Sequence, residues 1–120
     1  MLTDKPSPKI DDFRFGRIII NNKPYHHDVI IFPDHIKPNW RRKEGHMLYV
    51  EDLEEVLAYS PDKLIVGCGT FSKMKVPEST LEILKSKGIN VVVQKTQEAC
   101  KTYNQLKQKS NIVAALHLTC

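Results

Sequence analysis

From Lys63 onward the chain alternates strand-length apolar runs with amphipathic segments, and that alternation constrains its fold more than any other feature. Lys63-Leu64-Ile65-Val66-Gly67-Cys68-Gly69 is followed by Pro77 to Gly88, and then by Ile89-Asn90-Val91-Val92-Val93. Thr96-Gln97-Glu98-Ala99-Cys100-Lys101-Thr102-Tyr103-Asn104 comes next, and Ile112 to Leu118 closes the series. Strand-helix-strand alternation specifies parallel strands joined by crossover helices, with loops gathered at the carboxyl edge where sites form.

Local signals delimit these elements. Pro77 suits a first helical turn, Leu81 and Leu84 face inward, and Gly88 is the expected residue just past the helix end. Thr96 is placed to cap the last helix, whose apolar stripe is Ala99, Tyr103 and Leu106. An earlier helix is expected over 51–59, with Leu53 and Leu57 on one face and Ser60-Pro61 as its stop.

The front half reads as two strands, Phe13 to Ile20 and Tyr25 to Phe32, joined through Asn21-Asn22-Lys23-Pro24 into a hairpin. Residues 33–44 form one long irregular segment containing Pro33, Pro38 and the single tryptophan, Trp40. Long loops in compact domains are where binding concentrates. The expected class is α/β, a single-domain three-layer β/β/α arrangement: a β-hairpin followed by αβαβαβ with a mixed, partly parallel sheet. Helices are expected on one face of the main sheet and the hairpin on the other. Residues 1–12, with Pro6 and Pro8, read as a flexible N-terminal arm, and 13–120 as a single globular α/β domain.

The residue balance bounds the function. A chain of 120 residues supports one core without staples. No apolar run approaches a membrane span, and residues 1–12 have neither the apolar centre of a secretory signal nor the Arg-rich character of a transit peptide. Three widely spaced cysteines, Cys68, Cys100 and Cys120, fit a reducing compartment, so a cytoplasmic location is expected. The net charge of +4 is spread over lysines on helix faces, and with 8% aromatics no base-stacking platform stands out. That reads as a solvated surface, not a nucleic-acid footprint.

Several constellations carry chemistry and are weighed against blander readings. Gly67-Cys68-Gly69 opens like a dinucleotide turn, but position 72 is Ser and the helix waits until Pro77. No nucleotide cofactor is expected. The same turn should lie beside Thr96 and the free amides of the last helix. If Trp40-Arg41-Arg42 folds over that edge, two guanidinium groups, with His46 as a further donor, would complete a small anionic pocket.

Cys100 flanks the apolar stripe without a base beside it and reads as structural, whereas Cys68 reads as better exposed. Adjacent His26 and His27 point to opposite strand faces, His26 and Asp28 lack a third ligand, and His117 is near Cys120 only at a terminus. No metal, no catalytic residue and no cofactor is assigned. Tyr103 and Asn104 are read structurally, the first in the core stripe and the second bonding nearby backbone.

Several of these pieces occur together elsewhere. They are Trp40-Arg41-Arg42-x-x-Gly45-His46, Ile65-Val66-Gly67-Cys68-Gly69, Gly88-Ile89, Thr96-x-x-Ala99-Cys100-x-Thr102-Tyr103-Asn104-x-Leu106 and Val113-Ala114-Ala115. In that order they resemble a widespread family of small domains, which includes a human adipogenesis-associated protein and a mitochondrial complex I assembly factor. The resemblance runs from about Phe13 to Leu118. It implies the three-layer β/β/α fold and no established enzymatic activity.

The leading expectation is a non-enzymatic binding or assembly module that recognises a protein partner through the Trp40-Arg41-Arg42 loop, since Trp and Arg most often anchor interfaces. Trp40 and Arg41 are expected to be removable without unfolding the domain. The alternative is a small anionic-ligand-binding protein or enzyme, with its pocket over Gly67 and Gly69 and the start of the Thr96 helix. In that pocket Arg41 and Arg42 neutralise the ligand and His46 carries protons. Apolar residues on the hairpin leave a homodimer open.

Overall fold

The computed structural model describes residues 6–109 and 111–120. Three strands, β1 (Ile10–Arg14), β2 (Arg17–Ile20) and β3 (Lys23–Tyr25), form a small antiparallel sheet in that order. A second sheet joins β4 (Val29–Ile31), β5 (Ile36–Lys37), β6 (Lys63–Gly67), β7 (Asn90–Gln94) and β8 (Ile112–Leu116) in the order β5-β4-β8-β6-β7. Strands β7, β6 and β8 are parallel, and β4 runs antiparallel to β8. A 3-10 turn over Val50–Leu53 leads into helix α1 (Glu54–Tyr59), followed later by α2 (Glu78–Ser86) and α3 (Thr96–Leu106). None of these helices is long and apolar enough to cross a membrane among the described residues.

The period-two alternation of the main sheet sorts its side chains onto two cores. Val29, Ile31, Ile65, Ile112, Ala114 and Leu116 point to one, where they meet Ile10, Phe13, Ile18 and Ile20 of the small sheet and Ala99, Cys100 and Tyr103 of α3. Ile30, Leu64, Val66, Val113 and Ala115 point to the other, against Trp40, Leu48, Leu53, Val56, Met74 and Leu84. Helix α3 therefore shares a face with the small sheet, and the helices do not all gather on one side. Right-handed crossovers explain this. From β6 the chain steps outward to β7, then reverses across β6 to reach β8, so the two connecting helices fall on opposite faces.

The expected front hairpin is finer than its sequence suggested. Gly16, at φ +80°, turns the chain inside what reads as one strand and makes β1 and β2 from it. Asn21 and Asn22, at φ 50° and 66°, supply the tight turn into β3, as their residue types predict. The second expected strand is also divided, because β3 belongs to the small sheet and β4 to the large one. Strand β1 takes in Ile10, Asp11 and Asp12, which the sequence assigned to the arm; residues 1–5 lie outside the described residues.

Two side chains of α3 fasten that first strand. The Tyr103 hydroxyl donates to the Pro8 carbonyl at 2.7 Å. Asn104 Nδ2 donates to the Ile10 carbonyl at 2.8 Å, and its Oδ1 accepts from the Ile10 amide at 3.1 Å. One amide side chain thus acts as a substitute strand neighbour.

Candidate binding clefts

Between β3 and β4 the chain leaves one sheet for the other, and Asp28 lies in that gap. Its Oδ1 accepts from the Leu118 amide at 2.7 Å. Its Oδ2 accepts from Arg42 Nη1 at 2.8 Å and lies 2.8 Å from His117 Nδ1. Arg42 Nη2 donates to the Gly45 carbonyl at 2.8 Å and sits 3.1 Å from the same His117 Nδ1. An approach of 2.8 Å to a carboxylate needs a proton on Nδ1, which leaves Nε2 facing Thr119 Oγ1 at 3.4 Å. The Arg42 contact to that nitrogen is then packing, not a second hydrogen bond.

The cluster is deeply set: the side chains of Arg42, His117 and Asp28 are 4%, 8% and 15% exposed. Trp40 lies beneath, with the Arg42 guanidinium 4.8 Å from its ring. The indole is itself 4% exposed and donates Nε1 to the Asp52 carbonyl at 3.0 Å. Asp52 also accepts from the amides of Lys43 and Tyr49, both at 2.9 Å, so its carboxylate shapes the whole 40–49 loop.

Burial pushes the Asp28 carboxyl upward, but the His117 hydrogen bond, the Leu118 amide, the His117 charge and the Arg42 guanidinium together outweigh it. Its pKa therefore lies below the ordinary value of 3.8. A depressed carboxyl pKa contributes stability that is complete above the ordinary value and lost as pH falls through the lower native one. Melting curves of wild type and Asp28→Asn are expected to differ most at neutral pH and to converge only well below about pH 4.

Above the cluster opens a cleft of 330 Å³. His26, His27 and Asn39 line it with Trp40 and Arg41, and Asp28, His117, Leu118 and Thr119 complete the lining. Of the expected anchors, Arg41 and His46 are exposed, while Trp40 and the Arg42 side chain are interior. Trp40→Ala is consequently a core deletion, and the expectation that it leaves the domain folded is corrected.

The glycine turn is close-packed by the chain itself. A Cβ on Gly67 would lie 2.9 Å from Leu116 Cδ2 and from Thr96 Oγ1. One on Gly69 would lie 2.1 Å from the Cys120 carbonyl carbon. Thr70 N donates to the Thr119 carbonyl at 2.7 Å, and the amides of Phe71 and Lys73 both donate to the Cys120 carbonyl. Thr96 is the first residue of α3, not its cap: its buried Oγ1 donates to the His117 carbonyl at 2.6 Å and accepts from the Gly69 amide at 2.7 Å. Residues 116–120 thus occupy the space in which the sequence placed a ligand.

The two expected groups nonetheless meet, through a residue that sequence reasoning assigned no role. His117 holds Asp28 with its ring, packs that ring against Arg42 and holds Thr96 with its carbonyl, and the His46 ring lies 5.9 Å away, edge-on. Its signal was a histidine inside the last apolar run, and that of Asp28 an acid directly before another such run.

The two buried thiols, Cys68 and Cys100, are held in the protonated direction by their environment. Burial pushes Cys100 up to about 12. Burial also raises Cys68, against smaller opposing effects of Lys75 and Arg42, and Cys68 is buried, not the better exposed of the two.

Comparison with known proteins places this geometry in context. The family model described as a protein of unknown function, DUF498/DUF598, matches residues 10–117. The crystal structure of the conserved hypothetical protein PH1505 from Pyrococcus horikoshii OT3 superposes with a TM-score of 0.80 at 29% identity, over 93% of this chain and 99% of that one. The protein MT938 gives 0.78 at 28% identity, over 95% and 100%. A Bordetella pertussis protein described as a Mth938-like domain shares the fold at 0.75 and 18% identity, over 98% and 92%.

Proposed function

We propose, from the premise that this chain belongs to the DUF498/DUF598 family of proteins of unknown function, that it is a binding module whose ligand is a small anion seated over Asp28 and His117. The observation that supports this is the charge of the cleft. Among the described residues, the one carboxylate lining it is already matched by Arg42 from below, so within this cleft Arg41 faces no free carboxylate. On its other side Arg41 borders Glu51, Asp52, Glu54 and Glu55. Imidazoles of His26 and His27 line the same space and offer N–H donors to a carboxylate or phosphate, whereas the Nδ1 proton of His117 is committed to Asp28. The volume, at the small end of ligand sites, suits a compact solute.

A second reading, a protein partner, stood first on sequence grounds, and the resemblance to an assembly factor supports it. Its anchors change, because Trp40 and Arg42 are interior. Phe15 and Phe71, 57% and 64% exposed with rings 6.5 Å apart, are the aromatic side chains open to a partner.

One experiment separates the readings. Inorganic phosphate and citrate are titrated into labelled protein, with amide and imidazole shifts followed by NMR. Saturable shifts confined to His26, His27, Arg41 and His117, weakened about tenfold or more by Arg41→Glu at unchanged melting temperature, are the expected result. No localised shift would remove the ligand reading. Partner capture from the native host's extract, lost in Phe15→Ser with Phe71→Ser but kept in Arg41→Glu, would put the second in its place.

A further inference from the structure

Strands β6 and β7 are parallel neighbours whose outgoing connections part to opposite faces, α2 on one and α3 on the other. Such a divergence opens a crevice at the carboxyl ends of the two strands, the usual seat of ligands in open α/β sheets. Here the crevice is a cavity of 350 Å³, independent of the cleft over Asp28.

Its chemistry is one-sided. Met74, Val76, Leu81 and Val93 form apolar walls, and Val93 is left 45% exposed by the protein's own packing. Lys75 and Lys95 stand among the lining residues, both exposed, and no acidic residue is among those described there. Gln94 also lines the cavity, and its Oε1 is buried without a hydrogen-bond partner. That oxygen is closed off from the cavity, so Gln94 serves as wall and not as a ligand contact.

We infer that this crevice is a binding site for a small amphipathic acid: an apolar body against Met74, Val76, Leu81 and Val93, and an anionic head between Lys75 and Lys95. Each part answers a separate feature. Apolar walls disfavour a bare inorganic anion, and the lysine pair disfavours a cation.

The probe is 8-anilinonaphthalene-1-sulfonate, which carries an aromatic body and a sulfonate. Expected is saturable binding to the folded protein at one site, with shifts at the amides of Cys68, Gln94 and Lys95, and displacement by octanoate. Leu81→Trp, which fills the cavity, should weaken it about tenfold or more. Lys75→Glu with Lys95→Glu should do the same without lowering the melting temperature, and serves if the tryptophan variant fails to fold. Lys101→Glu, on the exposed side of α3, should change nothing. Absence of saturable binding, shifts centred on Phe15 and Phe71 instead, or affinity indifferent to the lysine reversal would each overturn the assignment.

Discussion

Arg42→Ala is expected to cost about 3 kcal/mol of stability, because it strands a buried carboxylate. Asp28 would keep the Leu118 amide and His117 but lose the one permanent cation beside it. The Gly45 carbonyl would lose a donor and the Trp40 ring its guanidinium cover. Denaturant unfolding reads this as a fall in midpoint at unchanged slope. The control is the double variant Asp28→Asn, Arg42→Met, in which neither charge is left alone. Replacing a whole buried pair is often close to neutral, so the double variant should recover a large part of the single loss. A double variant as unstable as the sum of the singles would show that the two side chains act separately, against the geometry described here.

Gly69→Ala is expected to be nearly as damaging, at roughly 3 kcal/mol, for a different reason. The residue sits at φ +100°, where a side chain is strained in any surroundings, and its Cβ would fall 2.1 Å from one backbone atom of Cys120 and 2.4 Å from another. Backbone cannot swing aside as a lysine tip can, so residues 119–120 must leave the turn and surrender their hydrogen bonds to Thr70, Phe71 and Lys73. Gly16→Ala isolates the conformational part. That glycine is at φ +80° with nothing within 4 Å of the added carbon, so its cost should stay near about 1–2 kcal/mol. Equal melting temperatures for the two variants would mean that the tail is not seated as described.

The contrast between these glycines shows where sequence reasoning has reach. Strand β6 was legible because a buried parallel strand is written as a continuous apolar run. Strand β7 was legible from the same kind of run, although it is a half-exposed edge strand. Gly88 past α2 and the Asn21-Asn22 turn were legible because positive φ selects few residue types. The split of Phe13 to Ile20 into two strands was not, since a lone glycine in an apolar run reads as tolerated until a partner strand exists. Which face α3 covers was not legible either, because strand order decides it and strand order is a long-range property.

The candidate site divides in the same way. Trp40, Arg41, Arg42, Gly67, Gly69 and Thr96 were singled out by residue type, and the structure gathers most of them around His117. Their roles were misjudged wherever burial decides them. A tryptophan beside two arginines looks like an interface, yet Trp40 is floor and Arg42 a buried counter-ion. Gln94 gave no local sign at all, because an unpaired oxygen is a fact about neighbours and not about the residue.

The position of β8 also has a consequence for biosynthesis. It lies between β4 and β6, so the last strand of this domain becomes the middle of the large sheet. Until residue 116 has cleared the ribosome, the emerging chain holds β4 and β6 as two open edges with no bridge between them. Assembly of the large sheet must therefore wait for β8. In that interval the unclosed edges are the points at which a nascent-chain chaperone, or misassociation with another copy, would act.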